Sequence, residues 1–389
     1  MPTRPAVVHT DDPDATRAGA DLGRRVREGL GGDRPQALIL FASPRYDLER
    51  LVEAVHEACE PEILVGSSSA GEFTNTVQGD GLACAIALHA PEMRFASGVG
   101  RRLSADRGGA ARSMIGSFVG MQDHAYAHRS ALVMADALAG HADELVTELD
   151  TLTGGLYTLF GGGAGGDAQF QNRYVFHGTE VIADGAVALE ILSNKPLGLG
   201  VGHGWKPSGP ALRVTEAEGT RLGSLDAIPA AEVFEEHAER TGQVFERKDP
   251  LPFFLHNVIG IDTGSGHKLR VPLSVDADGA VTCATEVPGG STVSLMSVNT
   301  ADAAAAAAAS AKDAVANLGG HEPAVALFFD CVATRLRMGT DFGFELDAVR
   351  GALGGAPFAG CNSIGQIARA EGERGGFHNC TAVVCVFPE

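Results

Sequence analysis

The amino-acid sequence predicts an α/β to α+β fold, with mixed sheets built from repeated strand-helix-strand-strand units in two domains. The chain has 389 residues, more than one hydrophobic core usually contains, and 44% of them are apolar. One order of apolar runs, helical segments and glycine-rich turns occurs three times. Two strands joined through a helix normally pair in parallel, whereas a strand that returns after a short loop pairs antiparallel.

The first unit follows a helical lead-in that we place in residues 1–34. Acidic residues stand at the start of "DDPDATRAGADLGRRVREGLGG" and two glycines end it, as expected of a helix. "ALILFA" then predicts a buried strand, Asp47 to Cys59 a helix, and "EILV" a second strand. The turn Gly66-SSSA-Gly71-Glu72 follows, and "GLACAIALHA" closes the unit with a further strand.

The second and third units keep this order. "ALVMADA", "ADELVTELDTL" and "LYTLF" lead to the turn Gly161-GGAG-Gly166-Asp167, before the strands "RYVFHGTEVI" and "GAVALEIL". "AVALFFDC", a helix around "FELDAVRGAL" and "PFA" lead to Gly360-CNSI-Gly365-Gln366 and the last strand, "CTAVVCVF". Three such turns at equivalent strand ends predict a shared pocket lined by free backbone groups. The alternative is that each glycine serves only a bulge or a bend.

A charged, proline-rich stretch, "ERTGQVFERKDPLPFF", predicts the junction between two domains. We therefore assign residues 1–34 to the lead-in, 35–235 to an N-terminal domain and 236–389 to a C-terminal domain. After the junction, "DADG" predicts a hairpin between two strands. The alanine-rich stretch that follows predicts a helix, with Thr300 as its N-cap and Gly319 at its end.

Composition excludes several classes of partner. The formal net charge of -19 disfavours binding to nucleic acid and to anionic membrane surfaces. No apolar stretch reaches the roughly 20 residues needed to span a bilayer, and the N-terminus lacks the pattern of a secretion signal, so we expect a cytoplasmic protein. The seven cysteines are scattered without a C-x-x-C pair, which predicts neither a disulfide framework nor a metal site.

Several stretches match parts of nucleotide-binding or catalytic motifs, but the residues around them do not fit those motifs. Gly161, Gly163 and Gly166 satisfy G-x-G-x-x-G, with Asp184 further on. The dinucleotide fingerprint opens a helix, however, and this stretch leads into a strand. No Lys-Ser or Lys-Thr pair follows a glycine turn, and "GSSSAG" misses the spacing of G-x-S-x-G. We therefore expect no cofactor and no enzyme of these classes.

Two further stretches predict ligand contacts. His203 and Trp205 stand in the loop "GVGHGWKPSG", which suits either a small-ligand pocket or a structural turn with the tryptophan as a packing anchor. Cys331 ends an apolar strand, and Arg335 and Arg337 follow it, so their charge is expected to lower the pKa of the thiol. A thiol-dependent enzyme with Cys331 as nucleophile is an open but less favoured alternative.

Three strings together resemble a known family: "ILVGSSSAGEF", the region from "LFGGGAGGD" to "LDAIPAAEVF", and the region from "ALFFDCVATRLRMG" to "CNSIGQI". They are similar to tandem FIST N-terminal and FIST C-terminal domains, and the resemblance covers roughly Pro35 to Gln366. FIST proteins are regarded as sensory input modules, proposed to bind small ligands such as amino acids. The resemblance implies a stand-alone sensor in signal transduction, with a small molecule and a signalling protein as its partners.

Two positions depart from the family pattern. Gln366 stands where the family usually has a glutamate, which exchanges a carboxylate for an amide. Thr334 stands before Arg335, where the family tends to have a Gly-Arg pair. If these positions touch a ligand, its charge preference differs from that of other members.

The site hypothesis assigns roles to residues at and around the turns. Glu72 or Asp167 is expected to meet an ammonium group and Arg335 a carboxylate, while short polar side chains and bare backbone complete the pocket. The further candidate residues are Ser67, Ser68, Gly162, Gly163, His203, Trp205, Cys331, Asn362 and Gln366. The alternative to a sensor is an interaction adaptor, in which the turns merely build the fold.

Overall fold

The computed structural model describes residues 2–140, 142–166, 173–369 and 376–389. Within them, three α/β units share one plan, and a β-rich insertion interrupts the third. Each unit has an edge strand, a helix, a first core strand, a further helical segment, a second core strand, a hairpin and a closing strand. The predicted three-fold repeat and the mixed α/β class are confirmed.

The first two units follow each other directly. Unit 1 contains β1 (Arg4–Thr10), α1 (Ala15–Gly29), β2 (Ala37–Ala42), α2 (Leu48–Cys59), β3 (Ile63–Ser68), β4 (Glu72–Thr74), β5 (Gln78–Gly79) and β6 (Ala83–His89). Unit 2 contains β7 (Arg94–Arg101), α3 (Arg107–Ile115), β8 (His128–Ala135), α4 (Ala142–Leu152), β9 (Thr158–Gly163), β10 (Val175–His177), β11 (Glu180–Ile182) and β12 (Gly185–Ser193). Helices α1 and α2 begin at aspartates whose side chains accept backbone hydrogen bonds, as in typical N-caps.

Unit 3 is interrupted after its edge strand, β13 (Gly198–Gly202). The insertion contains β14 (Lys206–Pro207), β15 (Leu212–Glu218), β16 (Arg221–Leu225), β17 (Ile228–Pro229), α5 (Ala230–Thr241), α6 (Leu251–Phe254), β18 (Val258–Asp262), β19 (His267–Arg270), β20 (Pro272–Val275), β21 (Val281–Cys283) and β22 (Thr292–Ser297). The unit then continues with α7 (Thr300–Ala316), β23 (Pro323–Cys331), α8 (Val332–Met338), α9 (Phe342–Ala352), β24 (Phe358–Ser363), β25 (Gln366–Ala368), β26 (Phe377–His378) and β27 (Ala382–Pro388). The hairpin predicted at "DADG" is confirmed, because β20 and β21 pair antiparallel around it.

The core strands pair in the same way in all three units. The two core strands, β2 with β3, β8 with β9 and β23 with β24, are parallel. The closing strands β6, β12 and β27 lie antiparallel between the first core strand and the edge strand. One face of each sheet is covered by the helices of its own unit, and the other faces meet in a common core, where the rings of Phe41 and Phe329 are 5.6 Å apart. Strands buried on both faces form continuous apolar runs, and such runs made them recognisable in the sequence.

Each hairpin leaves its own unit and extends the sheet of another. Strand β4 of unit 1 pairs with β24 of unit 3, β25 of unit 3 pairs with β9 of unit 2, and β10 of unit 2 pairs with β3 of unit 1. The exchange is cyclic and closes three six-stranded sheets. It also brings the segments between each second core strand and its hairpin to one centre. We name these segments turn 1 (residues 66–71), turn 2 (residues 161–166) and turn 3 (residues 360–365).

Several local expectations need correction or comment. The predicted lead-in contains a strand as well as a helix, because β1 pairs with β6 and completes the sheet of unit 1. Helix α7 is confirmed, but its N-cap is Asn299, whose side chain accepts the Asp302 N–H, and Thr300 is already helical. The predicted domain boundary at 235/236 lies within α5, and the two-domain assignment stays a prediction. Among the described residues, no helix is both long and apolar enough to cross a bilayer.

Candidate functional site

Backbone hydrogen bonds join the three glycine-rich turns directly. The Ala70 N–H donates to the carbonyl of Asn362 at 3.0 Å, and the Asn362 N–H donates to the carbonyl of Gly71 at 2.8 Å, so turn 1 is paired with turn 3. The Gly165 N–H donates to the carbonyl of Ser68 at 2.8 Å, which joins turn 2 to turn 1. Two further backbone bonds join turns 2 and 3. Much of the bare backbone predicted to meet a ligand therefore meets another turn.

The first glycine of each turn has a structural cause. A Cβ atom built at any of these positions would lie 1.8 to 2.1 Å from a carbonyl oxygen of the neighbouring parallel strand, where no real Cβ atom fits. Only glycine allows this close approach of the two strands. The glycines are Gly66, Gly161 and Gly360, and the oxygens belong to Leu40, Val133 and Phe328 respectively.

The residue after the turn anchors it in units 1 and 3. Glu72 is fully buried and accepts hydrogen bonds from the Ser69 hydroxyl at 2.6 Å and from the Leu82 N–H at 3.1 Å. Burial raises the pKa of its carboxyl to about 8. Gln366 makes the equivalent pair of contacts, donating to the Ser363 hydroxyl at 3.0 Å and accepting from a backbone N–H of the closing segment. Both side chains are committed to the turn, which explains why an amide can replace the carboxylate.

A cavity of about 130 Å³ lies beside turn 1, and we name it the turn cavity. Turn 1 contributes Ser69 and Ala70 to its wall, turn 2 contributes Gly166, and one face of α8 covers the opposite side. Its lining residues are Ser43, Pro44, Arg45, Ser69, Ala70, Asp80, Gly166, Val332, Arg335 and Leu336. All three units thus contribute to a single hollow beside turns 1 and 2, which combines a mostly apolar wall with a few polar side chains.

Arg335 is the cation that dominates this cavity. Its Nη1 donates to the carbonyls of Ala70 at 3.1 Å and Gly79 at 2.9 Å, which positions the guanidinium against turn 1. Among the described residues, nothing accepts a hydrogen bond from its Nε or Nη2. A Cβ atom at Gly71 would overlap Nη1, so the second glycine of turn 1 makes room for this side chain. Behind it, Asn362 is 1% exposed, and both polar atoms of its side-chain amide lack a partner within the described chain.

Comparison with protein-family models identifies the chain. The model of the FIST N domain matches residues 36–228, and the model of the FIST C domain matches residues 230–369. The chain belongs to the FIST family. FIST domains are regarded as small-ligand sensor domains of signalling proteins, and the family is sensory and not enzymatic.

Proteins similar to this chain occur in Mycobacterium tuberculosis. Uncharacterized proteins of strains CDC 1551 and H37Rv are each 24% identical to this chain over 385 residues, which is 96% of this chain and 97% of theirs. Among solved structures, Thermotoga maritima PurL complexed with FGAR matches at 12% identity with a TM-score of 0.26. The same enzyme complexed with AMPPCP matches at 11% identity with a TM-score of 0.25. Each structural match covers 99% of this chain and 72% of the other chain. TM-scores this low support no inference about the FIST fold or its ligand.

The other candidates in the turns of this FIST chain have structural contacts. The Ser68 hydroxyl donates to the carbonyl of Gly165 at 2.7 Å and accepts from the Tyr174 N–H at 2.9 Å, and Ser67 is buried in β3. Gly162 and Gly163 lie at the buried end of β9. None of these four lines the turn cavity. Asp167 lies outside the described residues, so its role stays a prediction.

The remaining candidates, His203, Trp205 and Cys331, lie on the other side of α8 from the turn cavity. Trp205 is buried, and the guanidinium carbon of Arg337 is 5.6 Å from its ring centroid. Cys331 is 2% exposed, and hydrogen bonding with the Cys380 thiol lowers the pKa of its thiol to about 6. The direction agrees with the sequence-based expectation, but the cause is the second thiol and not the two arginines. His203, Trp205 and Cys331 are therefore separate from the turn cavity.

Sequence reasoning missed four polar residues of the turn cavity, which are Ser43, Arg45, Asp80 and Ser69 of turn 1. Ser43 and Arg45 follow β2 directly, and Asp80 lies between β5 and β6, where it forms an ion pair with Arg45 at 3.2 Å. Ligand sites of α/β proteins form beyond the carboxyl ends of parallel strands, so the segment after β2 carried a usable signal. No sequence signal pointed to Asp80, because its position in the cavity depends on the hairpin that unit 1 exchanges.

Among the described residues, no three His, Cys, Asp or Glu side chains are grouped to hold a metal ion.

Proposed function

We propose that this FIST chain is a sensor in signal transduction that binds a small metabolite with a carboxylate group, such as an amino acid, in the turn cavity. The observation that carries the proposal is Arg335, a fixed guanidinium on the cavity wall whose Nε and Nη2 meet no acceptor among the described residues. A carboxylate can accept two parallel hydrogen bonds from such a guanidinium edge. A signalling protein that reads the ligand-bound state is the partner that this role requires.

The size of the cavity limits the ligand. Its volume is about 130 Å³. A small amino acid or a short carboxylic acid fits this space, whereas nucleotides and other ligands of drug size need cavities of roughly 300 Å³ or more. The proposal therefore predicts a ligand class of few heavy atoms.

Charge supports a zwitterionic ligand in particular. Asp80 lies on the same cavity wall as Arg335, and its side chain is 67% exposed in its pair with Arg45. Exposed pairs of this kind contribute little stability, so an ammonium group can replace Arg45 as the partner of Asp80 at low cost. Asp80 thus takes the role that the sequence suggested for Glu72, whose oxygens are already occupied.

The first experiment is a thermal-shift screen of the purified chain against amino acids and short mono- and dicarboxylates. A ligand that binds only the native state at a hundred times its Kd raises the Tm of a chain of this length by about 3 °C. Titration calorimetry on the hits then measures Kd. If no compound of this class shifts the Tm at millimolar concentration, the proposal fails.

Two variants locate the site. Arg335→Ala should abolish the shift, whereas Arg350→Ala, which removes an exposed arginine paired with Asp347 on α9, should leave it unchanged. Because Arg335 also supports turn 1, Asp80→Asn provides a second test. Asp80 lines the cavity and its exposed pair with Arg45 contributes little stability, so the variant should not lower the Tm without ligand, but should weaken binding of a zwitterion. Unchanged affinity in both Arg335→Ala and Asp80→Asn would place the ligand elsewhere.

A further inference from the structure

A second cavity of about 10 Å³ lies on the far side of α8 from the turn cavity, and we name it the enclosed cavity because buried residues form most of its wall. Val332, Arg335 and Leu336 of this helix face the turn cavity, whereas Thr334 and Arg337 face the enclosed one. The other polar residues of its wall come from three separate elements: His203 before β14, Asp330 of β23 and Glu345 of α9. Its volume is enough for one particle of the size of a water molecule.

Buried acceptors without partners surround this cavity. Asp330 is 1% and Glu345 2% exposed, and one carboxylate oxygen of each, Oδ2 and Oε2, has no hydrogen-bond partner within the described chain. His203 presents a third acceptor. Its Nε2 lies 2.9 Å from the carbonyl of His267 and so carries the proton, and burial lowers the pKa of the imidazole, which leaves Nδ1 as an unpaired acceptor. Three acceptors thus belong to the wall of a space that holds one particle.

The charge of the wall also requires a positive occupant. Two carboxylates face one guanidinium, that of Arg337, and the imidazole is neutral, so the ionised cluster carries one uncompensated negative charge. Such a charge is very costly in a closed interior. Cys331 and Cys380 adjoin the cluster and supply no positive charge, and ionisation of the Cys331 thiol, whose pKa is about 6, adds a further negative charge. A proton or a small cation must therefore compensate the cluster.

We propose that the enclosed cavity is a binding site for a single ammonium ion, held by Asp330, Glu345 and His203. A water molecule donates only two hydrogen bonds and brings no charge. An ammonium ion has a similar size, donates up to four hydrogen bonds and neutralises the cluster.

Protonation competes with this cation. Burial raises the pKa of Glu345 to about 8, and burial together with the neighbouring Glu345 carboxylate raises the pKa of Asp330. At low pH protons occupy these carboxyls, and each proton that is lost as the pH rises leaves an acceptor for the cation. Ammonium binding should be stronger at pH 8.5 than at pH 6. This direction separates the site from a surface cation effect, which does not depend on these carboxyls.

The test measures the Tm of the full chain at pH 8.5 in ammonium, potassium, sodium or tetramethylammonium chloride at one ionic strength. At ten times its Kd, ammonium should raise the Tm by about 2 °C relative to sodium, with a smaller rise at pH 6 and none for tetramethylammonium, which is too large. An equal rise with potassium would overturn the proposal, because potassium donates no hydrogen bonds. Equal Tm values in all four salts would overturn it as well.

Variants and a direct signal complete the test. Glu345→Gln should abolish the ammonium-dependent shift, whereas Asp347→Asn, which changes an exposed acid on the same helix, should keep it. Should Glu345→Gln fail to fold, Asp330→Asn replaces it. Independently of any variant, the wild-type chain in ¹⁵N-labelled ammonium should show a slowly exchanging bound ammonium resonance at pH 8.5. Its absence, or a shift that persists in Glu345→Gln, would refute the site without bearing on the turn cavity.

Discussion

Replacement of Gly360 by alanine should destabilise the protein strongly, although it adds only one methyl group. Its Cβ atom would lie 1.8 Å from the carbonyl oxygen of Phe328, whereas real Cβ contacts essentially never fall below 3.0 Å. One of the two parallel strands must therefore move by about 1.2 Å. A rotamer change cannot relieve the overlap, because the obstructing atom belongs to the backbone. Forced repacking of this kind costs about 3 kcal/mol, which lowers the Tm of a chain of this length by about 4 °C.

The matched control is Gly351→Ala in α9, where a Cβ atom meets nothing within 4 Å. Alanine is the better helix former, so this variant should gain about 0.5–1 kcal/mol. Differential scanning calorimetry of both variants and the wild type measures the contrast, and far-UV circular dichroism at 25 °C confirms that each variant is folded. A Tm for Gly360→Ala within 1 °C of the wild type would refute close strand approach as the reason for the glycine.

Three further predictions concern buried polar groups. Glu72→Gln should be tolerated, because Gln366 makes the same contacts in unit 3. Burial raises the pKa of the Glu72 carboxyl to about 8. The contribution of this carboxyl to stability is therefore full below about pH 4.5 and is lost as the pH rises to 8. The Tm of Glu72→Gln relative to wild type should thus rise between pH 5 and pH 8.5, and a constant difference would contradict this. Asp143→Asn removes the carboxylate that pairs with Lys268 at 2.7 Å and with the almost fully buried Arg270 at 2.6 Å. This variant should lower the free energy of unfolding, measured in urea, by about 2–3 kcal/mol. The control, Asp347→Asn, should lower it by less than about 1 kcal/mol. All seven cysteines are buried, so a thiol reagent at pH 7 should label the native chain slowly and should label seven thiols after denaturation. Rapid labelling of Cys331 in the native chain would show that access to its thiol does not limit the reaction.

Much of the fold could be predicted because each core strand is buried on both faces and each first glycine has a local steric cause. "ALILFA" and "AVALFFDC" could be assigned without knowledge of their neighbours, as could the helix that Asp47 begins. The sheet that each hairpin joins could not be predicted from the sequence. Strand β4 has the same local pattern whether it pairs within unit 1 or with β24, and only the arrangement of three sheets around one core decides between these pairings.

The candidate site shows the same limit. Arg335 could be singled out because it stands beside a predicted strand end, and the turn cavity does contain it. Glu72 was assigned to a ligand because a carboxylate after a glycine turn appears free in a linear sequence, whereas it bonds to Ser69, three residues before it, and to Leu82, ten residues after it. The insertion also escaped detection, because its strands continue the composition of the flanking segments. Long-range hydrogen bonding, and not local propensity, separates the residues that support the turns from those that line the cavity.

The cyclic hairpin exchange has a consequence for biosynthesis. Glu72 is paired with Cys361, which leaves the ribosome about 290 residues later. At translation rates of 5–20 residues per second, strand β4 waits roughly 15–60 s for its partner. During that interval the nascent chain carries unpaired strand edges, so chaperone occupancy on ribosomes should persist until the last unit has emerged.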